Sequence, residues 1–127
     1  MRVAVGIIRD EQSRILITKR PFHKSHGGLW EFPGGKIELN EMSHEALCRE
    51  IKEEVGLEVL QHQFLGEIKY QYPDKFVELI VSLVTQFSGK PSCLEGQLDM
   101  KWLRKDQLNV KSFPEANQDI FHLIPEY

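Results

Sequence analysis

Glu50, Glu53 and Glu54 stand at i, i+3 and i+4, a spacing that gathers side chains on one side of a helix. Three like charges so placed repel, each i,i+4 pair costing about 0.2–0.5 kcal/mol, and a solvated helix is better served by alternating signs. The cluster becomes favourable once divalent cations sit among its hard oxygens. Mg²⁺ suits such a site because it accepts carboxylates, water and phosphate oxygens together. Arg49 lies four residues before Glu53, where a charge-assisted hydrogen bond can pin that carboxylate. These residue types point to metal-assisted chemistry on a phosphate compound.

The element that must carry them is delimited by its own ends. Ser43 is a candidate N-cap, Glu45 suits a first helical turn, and Gly56 is a natural residue just past the last turn. A helix is predicted over residues 43–55, with Leu47, Cys48, Ile51 and Val55 as its core-facing stripe. Upstream, the β-branched runs Val3 to Ile8 and Ile15 to Thr18 flank Asp10–Ser13 and read as a hairpin. Pro21 to Gly28 is a loop by composition, Leu29 to Phe32 a short strand leading into Pro33-Gly34-Gly35. Downstream, Val59 to Tyr72 and Phe76 to Phe87 read as long strands joined by the turn Tyr72-Pro-Asp-Lys75. Lys101 to Leu103 is a short strand, and Pro114 opens a helix through about Ile124. This order predicts an α/β (α+β) fold with a mixed sheet and helices on its faces.

With 127 residues the chain is read as a single domain over 1–127. No apolar run is long enough to span a membrane, and the N-terminus has no signal-peptide pattern. Cys48 and Cys93 lack metal-ligand spacing, and Cys48 falls on the apolar stripe, so a reduced, cytoplasmic setting is expected. A net charge of −3 argues against a polymeric nucleic-acid partner. Free nucleotides carried in with Mg²⁺ meet no such conflict. Lys19, Arg20 and Lys24 cluster just before the glycine-rich loop.

Residues 35–57, GKIELNEMSHEALCREIKEEVGL, fit the pattern G-x5-E-x7-R-E-U-x-E-E-x-G-U (U, bulky aliphatic) at Gly35, Glu41, Arg49, Glu50, Ile51, Glu53, Glu54, Gly56 and Leu57. This stretch resembles the Nudix box, so the chain resembles hydrolases that cut nucleoside diphosphates linked to another group. AVGIIR, ITKR, LWEFPGGKIE and FPEAN further resemble the branch of that family that removes oxidised guanine nucleotides, a match running from about Val3 to Asn117. The resemblance implies a Nudix fold, a mixed β-sheet sandwiched between helices, and a monomer. It implies divalent metal, Mg²⁺ with Mn²⁺ as an alternative, on Glu50, Glu53 and Glu54, with a backbone carbonyl of Gly34 or Gly35. Arg49 would orient the carboxylates and Lys36 would neutralise phosphate charge; alone, Lys36 reads as an ordinary exposed lysine. Glu50 and Glu53 are the candidates for general base and for ligand, in either assignment.

The implied reaction is metal-assisted attack of water on the β-phosphorus of a nucleoside triphosphate, converting 8-oxo-dGTP to 8-oxo-dGMP and pyrophosphate. By the same resemblance, Arg20, Glu31, Phe32, Pro33, Gly34 and Asn117 hold the base. In guanine N7 accepts a hydrogen bond, whereas in 8-oxoguanine it donates one. A carbonyl placed there rewards the oxidised base and leaves two acceptors facing each other for the normal one, a kind of selection that reaches about 10⁴–10⁵. Taken alone, Asn117 reads as a capping or turn residue.

Some positions depart from the family's pattern. Asn40 stands before Glu41 where glycine is frequent. Lys101 directly precedes Trp102 where the family places a carboxylate, leaving Glu95 or Asp99 as substitutes. His23 and His26 could reach the nucleotide from the Pro21–Gly28 loop, and Tyr72 aligns with an aromatic that flanks the base or packs. Two other readings stand beside the first. One is a Nudix hydrolase of other specificity, for ordinary nucleoside triphosphates, ADP-ribose or dinucleoside polyphosphates. The other is a non-catalytic nucleotide-sensing module, which the intact acidic positions disfavour.

Overall fold

Residues 2–8 alternate strictly, yet both of their faces are apolar. Val5 and Ile7 are buried on one side, Ala4 and Ile8 on the other. A strand of this kind belongs in the middle of a sheet covered on both faces. The computed structural model describes residues 1–126. Its strands are β1 (Arg2–Ile8), β2 (Arg14–Lys19), β3 (Trp30–Glu31), β4 (Gly34–Lys36), β5 (Glu58–Gln71), β6 (Phe76–Ser88) and β7 (Asp99–Arg104). Its helices are α1 (Ser43–Val55) and the short α2 (Glu115–Gln118), which runs on into a 3₁₀ turn over Asp119–His122.

The mixed sheet is present, in the order β4-β1-β6-β5, with β1 parallel to β6 and the other pairs antiparallel. A second, three-stranded antiparallel sheet has the order β3-β2-β7. The expected hairpin between residues 3–8 and 15–18 does not form. The two runs pair only at an isolated bridge between Arg9 and Ile15, and β1 and β2 join different sheets while their side chains share both core clusters. Both have better partners from far along the chain: β6 and β4 for β1, β7 and β3 for β2.

Helix α1 covers one face of the mixed sheet, burying Ala46, Leu47, Ile51 and Val55 against Ala4, Ile8, Leu16, Leu57 and Val84. Each of these large side chains contributes about 1.5–3 kcal/mol by leaving water. Cys48, expected on that stripe, is only half-buried, because the buried arc turns the other way and takes in Ala46. The helix spans the expected residues, but its N-cap is Met42 rather than Ser43. The Glu45 carboxylate accepts the Met42 N–H at 2.8 Å. Gly56 ends it in the left-handed conformation, φ 77°, donating to the Lys52 carbonyl at 3.0 Å. The opposite face carries Val5, Ile7, Val81 and Leu83 against the C-terminal segment, where Phe113, Ile120, Phe121 and Ile124 pack together. That segment was expected as one helix. Pro114 does start it, but four residues on the α-helix tightens into the 3₁₀ turn. Among the described residues no helix is long and apolar enough to cross a membrane.

Candidate active site

The glycines of β4 lie against α1, and that contact builds the site. The Gly34 N–H donates to Oε2 of Glu54 at 3.1 Å. At Gly35 a Cβ would collide with the Glu50 carboxylate, so only glycine lets that carboxylate lie flat on the strand. Successive helical positions turn by about 100°, so Glu53 and Glu54 diverge to either side of Glu50. Glu53 faces solvent. Glu54 turns inward beneath Gly34.

The three glutamates therefore do not share one spot. Carboxylate oxygens of Glu50, Glu53 and Glu95 lie within 4.8 Å of one another, whereas the Glu54 carboxylate is engaged by the Gly34 N–H. Of the two open candidates in the later segment, Glu95 is the one drawn in, whereas Asp99 accepts its neighbour Met100's N–H at 2.7 Å. The loop bearing Glu95 is tied to the end of α1. Ser92 N–H donates to the Val55 carbonyl and Leu94 N–H to that of Glu54, both at 3.0 Å, and Gln97 Nε2 also reaches the Glu54 carbonyl at 3.0 Å. Carbonyls at a helix C-terminus lack intrahelical partners, and satisfying them is what anchors this loop.

Arg49 does more than pin Glu53, which it meets at 3.3 Å. Its principal partner is Glu41, through a two-point contact of 2.7 and 2.9 Å, and it also reaches Glu50 at 2.8 Å and the Lys36 carbonyl at 3.0 Å. These bonds, with the Glu38 N–H, hold the Glu41 carboxyl down to about 2. Asn40, just before it, adopts φ 68°, a conformation glycine takes freely and asparagine tolerates. The glycine usual at this position thus has its physical reason.

The remaining carboxyls are pushed the other way. Burial, reinforced by the neighbouring Glu31 charge, raises Glu54 to about 9 against the opposing Gly34 hydrogen bond. Burial likewise raises Glu50, opposed by Arg49 and assisted by Glu53 and Glu95. It raises Glu31 too, although Arg20 meets that carboxylate at 2.6 Å. A cluster of hard oxygens whose charge Arg49 offsets only in part fits a divalent cation, and the lack of a Cβ at Gly35 leaves the Glu50 carboxylate room to join it.

Beside the carboxylates lies a cavity of about 230 Å³. Its wall toward α1 is Gly34, Gly35, Lys36 and Glu54, and its apolar floor includes Val5, Val77 and Leu79. Of the residues expected around a base, Arg20, Glu31, Phe32, Gly34 and Asn117 line it. Pro33 does not. Its carbonyl accepts the Gly6 N–H at 2.8 Å, joining the loop to β1. Phe32 lends little ring to the cavity, being buried and stacked on Phe113 at 4.9 Å between centroids. His26 lines the cavity with its ring 5.0 Å from that of Tyr72, and burial with the charges of Lys75 and Arg20 lowers it. His23 is exposed and outside. Lys75 also belongs to the wall, its ammonium 5.8 Å from the Tyr72 ring centroid. In the sequence Lys75 shows only as the end of a turn, its one signal being a cation close to that aromatic. Asn117 caps neither end of α2 with its side chain.

The chain belongs to the NUDIX domain family, whose model matches residues 4–123. It is 38% identical over 120 residues to the 8-oxo-dGTP diphosphatase of Escherichia coli (strain K12), covering 94% of this chain and 92% of that one. It is 41% identical over 120 residues to the 8-oxo-dGTP diphosphatase of Buchnera aphidicola subsp. Schizaphis graminum, covering 94% and 89%. Among solved structures, the MutT NUDIX hydrolase from Burkholderia pseudomallei matches with a TM-score of 0.88 at 26% identity, covering 98% and 97%.

Proposed function

We propose that this chain is an 8-oxo-dGTP diphosphatase that clears oxidised guanine nucleotide from the precursor pool before it can enter DNA. The observation that carries the reading is one continuous surface. The cavity lined by Arg20, Glu31 and Asn117 shares Gly34, Gly35 and Lys36 with the strand that α1's carboxylates lie against. A base in the cavity leaves its phosphates over the acidic cluster.

In this mechanism Glu50 and Glu53 would serve as metal ligand and general base, in either assignment, with Glu54, Glu95 and the Gly34–Gly35 backbone as the further groups that would hold the metal. Bound Mg²⁺, or Mn²⁺ in its place, supplies polarisation of phosphate oxygens and a lowered pKa for water. Water attacks the β-phosphorus, its proton passing to a carboxylate of the Glu50–Glu53 pair. The new bond joins water's oxygen to the β-phosphorus. The bond from that phosphorus to the oxygen bridging it to the α-phosphorus breaks, and the monophosphate leaves with the bridging oxygen. Arg49 holds Glu50 in place through its grip on Glu41, and Lys36 offsets charge on the phosphates. At the other end the Asn117 carboxamide accepts the N7–H of the oxidised base, while Arg20, Glu31 and the backbone of Phe32, Pro33 and Gly34 frame it.

The enzyme is read as a single-domain cytoplasmic monomer acting on free nucleotides. The unpaired Cys48 and Cys93 support a reducing setting. The test is kcat/KM for 8-oxo-dGTP against dGTP in Mg²⁺, with the reaction run in ¹⁸O-water. A ratio of about 10³ or more, within reach of hydrogen-bond selection, and label in pyrophosphate alone are expected. Equal rates for the two nucleotides overturn the substrate assignment, and label in the monophosphate overturns the site of attack.

A further inference from the structure

We propose that the hydroxyls of Tyr70 and Tyr72 are positioning groups for Asn117, a clasp between the end of β5 and the start of α2 that sets how well the base is read. This rests on the reading of Asn117 as the base-selecting residue.

Two bonds make the clasp, and both land immediately before Asn117. The Tyr70 hydroxyl donates to the Glu115 carboxylate, and the Ala116 N–H donates to the Tyr72 hydroxyl at 2.9 Å. Tyr70 lies in β5 and Tyr72 one residue past its end, and the two tyrosine rings lie 4.8 Å apart between centroids.

The helix they hold needs holding. α2 has only four residues, far below the length at which a helix is stable by itself. N–H groups in a first turn have no intrahelical acceptor, and Pro114 at the N-cap gives no side-chain bond. Ala116 is 1% exposed, so water is a poor substitute there, and the Tyr72 oxygen takes the role from another element. Behind α2, Phe113 and Ile120 fix its depth in the core. They are apolar and non-directional, and the polar bonds within the segment, Gln118 Nε2 to the Phe113 carbonyl and Asn117 N–H to that of Pro114, are local, so the two tyrosine bonds are the ones that fix its rotation against β5. Selection at N7 depends on the angle and distance of one carboxamide. A looser α2 therefore blurs the choice of base before it slows hydrolysis.

The experiment uses Tyr72→Phe and Tyr70→Phe, which remove one oxygen each and keep the rings, alone and combined with Asn117→Ala. For each enzyme kcat and KM are measured for 8-oxo-dGTP and dGTP, and amide hydrogen exchange is followed at Ala116 and Asn117. Tyr72→Phe should lower the 8-oxo-dGTP/dGTP ratio by about threefold to tenfold, the loss expected for one hydrogen bond. The loss should fall on KM for the oxidised nucleotide more than on kcat. It should vanish in the Asn117→Ala background, and exchange at Ala116 should quicken. Glu115→Gln, which keeps an acceptor for Tyr70, should behave as wild type, whereas Glu115→Ala should match Tyr70→Phe.

A wild-type ratio in both tyrosine variants, with the ratio lost in Asn117→Ala, overturns the proposal. So does a Tyr72→Phe loss that persists unchanged without Asn117, which makes Tyr72 a direct contact to the base. An Asn117→Ala enzyme with the wild-type ratio instead overturns the base-selecting role of Asn117. The exchange rates then decide by themselves whether the clasp holds α2: faster exchange upholds it, and unchanged exchange removes it.

Discussion

Gly35 has no side chain because the Glu50 carboxylate occupies the space where one would project. The obstacle is the far end of a flexible side chain, so Gly35→Ala should fold normally but push that carboxylate out of register. We expect kcat to fall about 100-fold, the range of a displaced acid–base group, with far-UV circular dichroism unchanged. Glu50→Gln and Glu53→Gln should each lower kcat by about 10²–10⁴, again without loss of fold. A decrease of only a fewfold at Glu53 would remove it from the mechanism. The same scale explains why spacing alone shows only part of what Arg49 does. Its i,i+4 neighbour Glu53 is within reach, but the planar guanidinium finds a better two-point match in Glu41, eight residues upstream.

Helix α1 connects these residues to the sheet, and two carboxyls, Glu54 in its last turn and Glu41 just before its start, load stability in opposite directions. Glu54, pushed up to about 9 from the usual 4.5, keeps a proton in the folded state that the unfolded chain gives up. The stability linked to it is full below about pH 4.5 and drains away as pH rises through 9. Glu41, held down to about 2, does the reverse: its contribution is present above about pH 4.5 and lost as pH falls through 2. Glu54→Gln should therefore stabilise the metal-free protein at alkaline pH. Thermal unfolding in EDTA at about pH 8 should show Tm raised by at least about 4 °C, equivalent to roughly 1 kcal/mol, with a smaller gain at about pH 6. An equal gain at both values would contradict the assignment. The loop of Glu95 is a second device of this scale. Gln97→Ala cuts its bond to the Glu54 carbonyl, and activity should fall about as far as in Glu95→Gln, roughly tenfold. Full activity in both variants would place Glu95 outside the site.

Over the whole molecule the core is two apolar clusters, one on each face of the mixed sheet, and neither includes the carboxylate trio. Removing divalent metal with EDTA should abolish turnover yet leave the circular dichroism spectrum in place. Readdition of Mg²⁺ should restore activity and raise Tm, because an ion that binds only the folded state stabilises it by mass action. Unfolding on chelation would show that the acidic cluster, not the two cores, holds the chain together. In contrast, Ile51→Ala, which empties a fully buried site beneath α1, should cost about 2–5 kcal/mol whether metal is present or not. Chemical denaturation measures that difference directly.

What could be read from the sequence alone was whatever neighbours within a turn or two decide. Gly56 and the i, i+4 stripe of Leu47, Ile51 and Val55 were enough to bound α1. The spacing of Glu41, Arg49, Glu50, Glu53 and Glu54 was enough to mark the family. Val59 to Tyr72 and Phe76 to Phe87 read as strands by alternation and a proline turn, within a residue of their observed bounds. The tertiary structure decided which distant segments meet. It set β1 and β2 in different sheets although their sequence reads as a hairpin, because strand partners are chosen by core packing rather than by nearness in the chain. It turned Glu54 beneath Gly34, replaced it in the carboxylate trio with Glu95, and moved Pro33 out of the cavity while bringing in Lys75. It also laid two tyrosine hydroxyls against the residues preceding Asn117. Each of these contacts joins positions far apart in sequence, and no local periodicity or propensity encodes where a folded chain will bring such positions together.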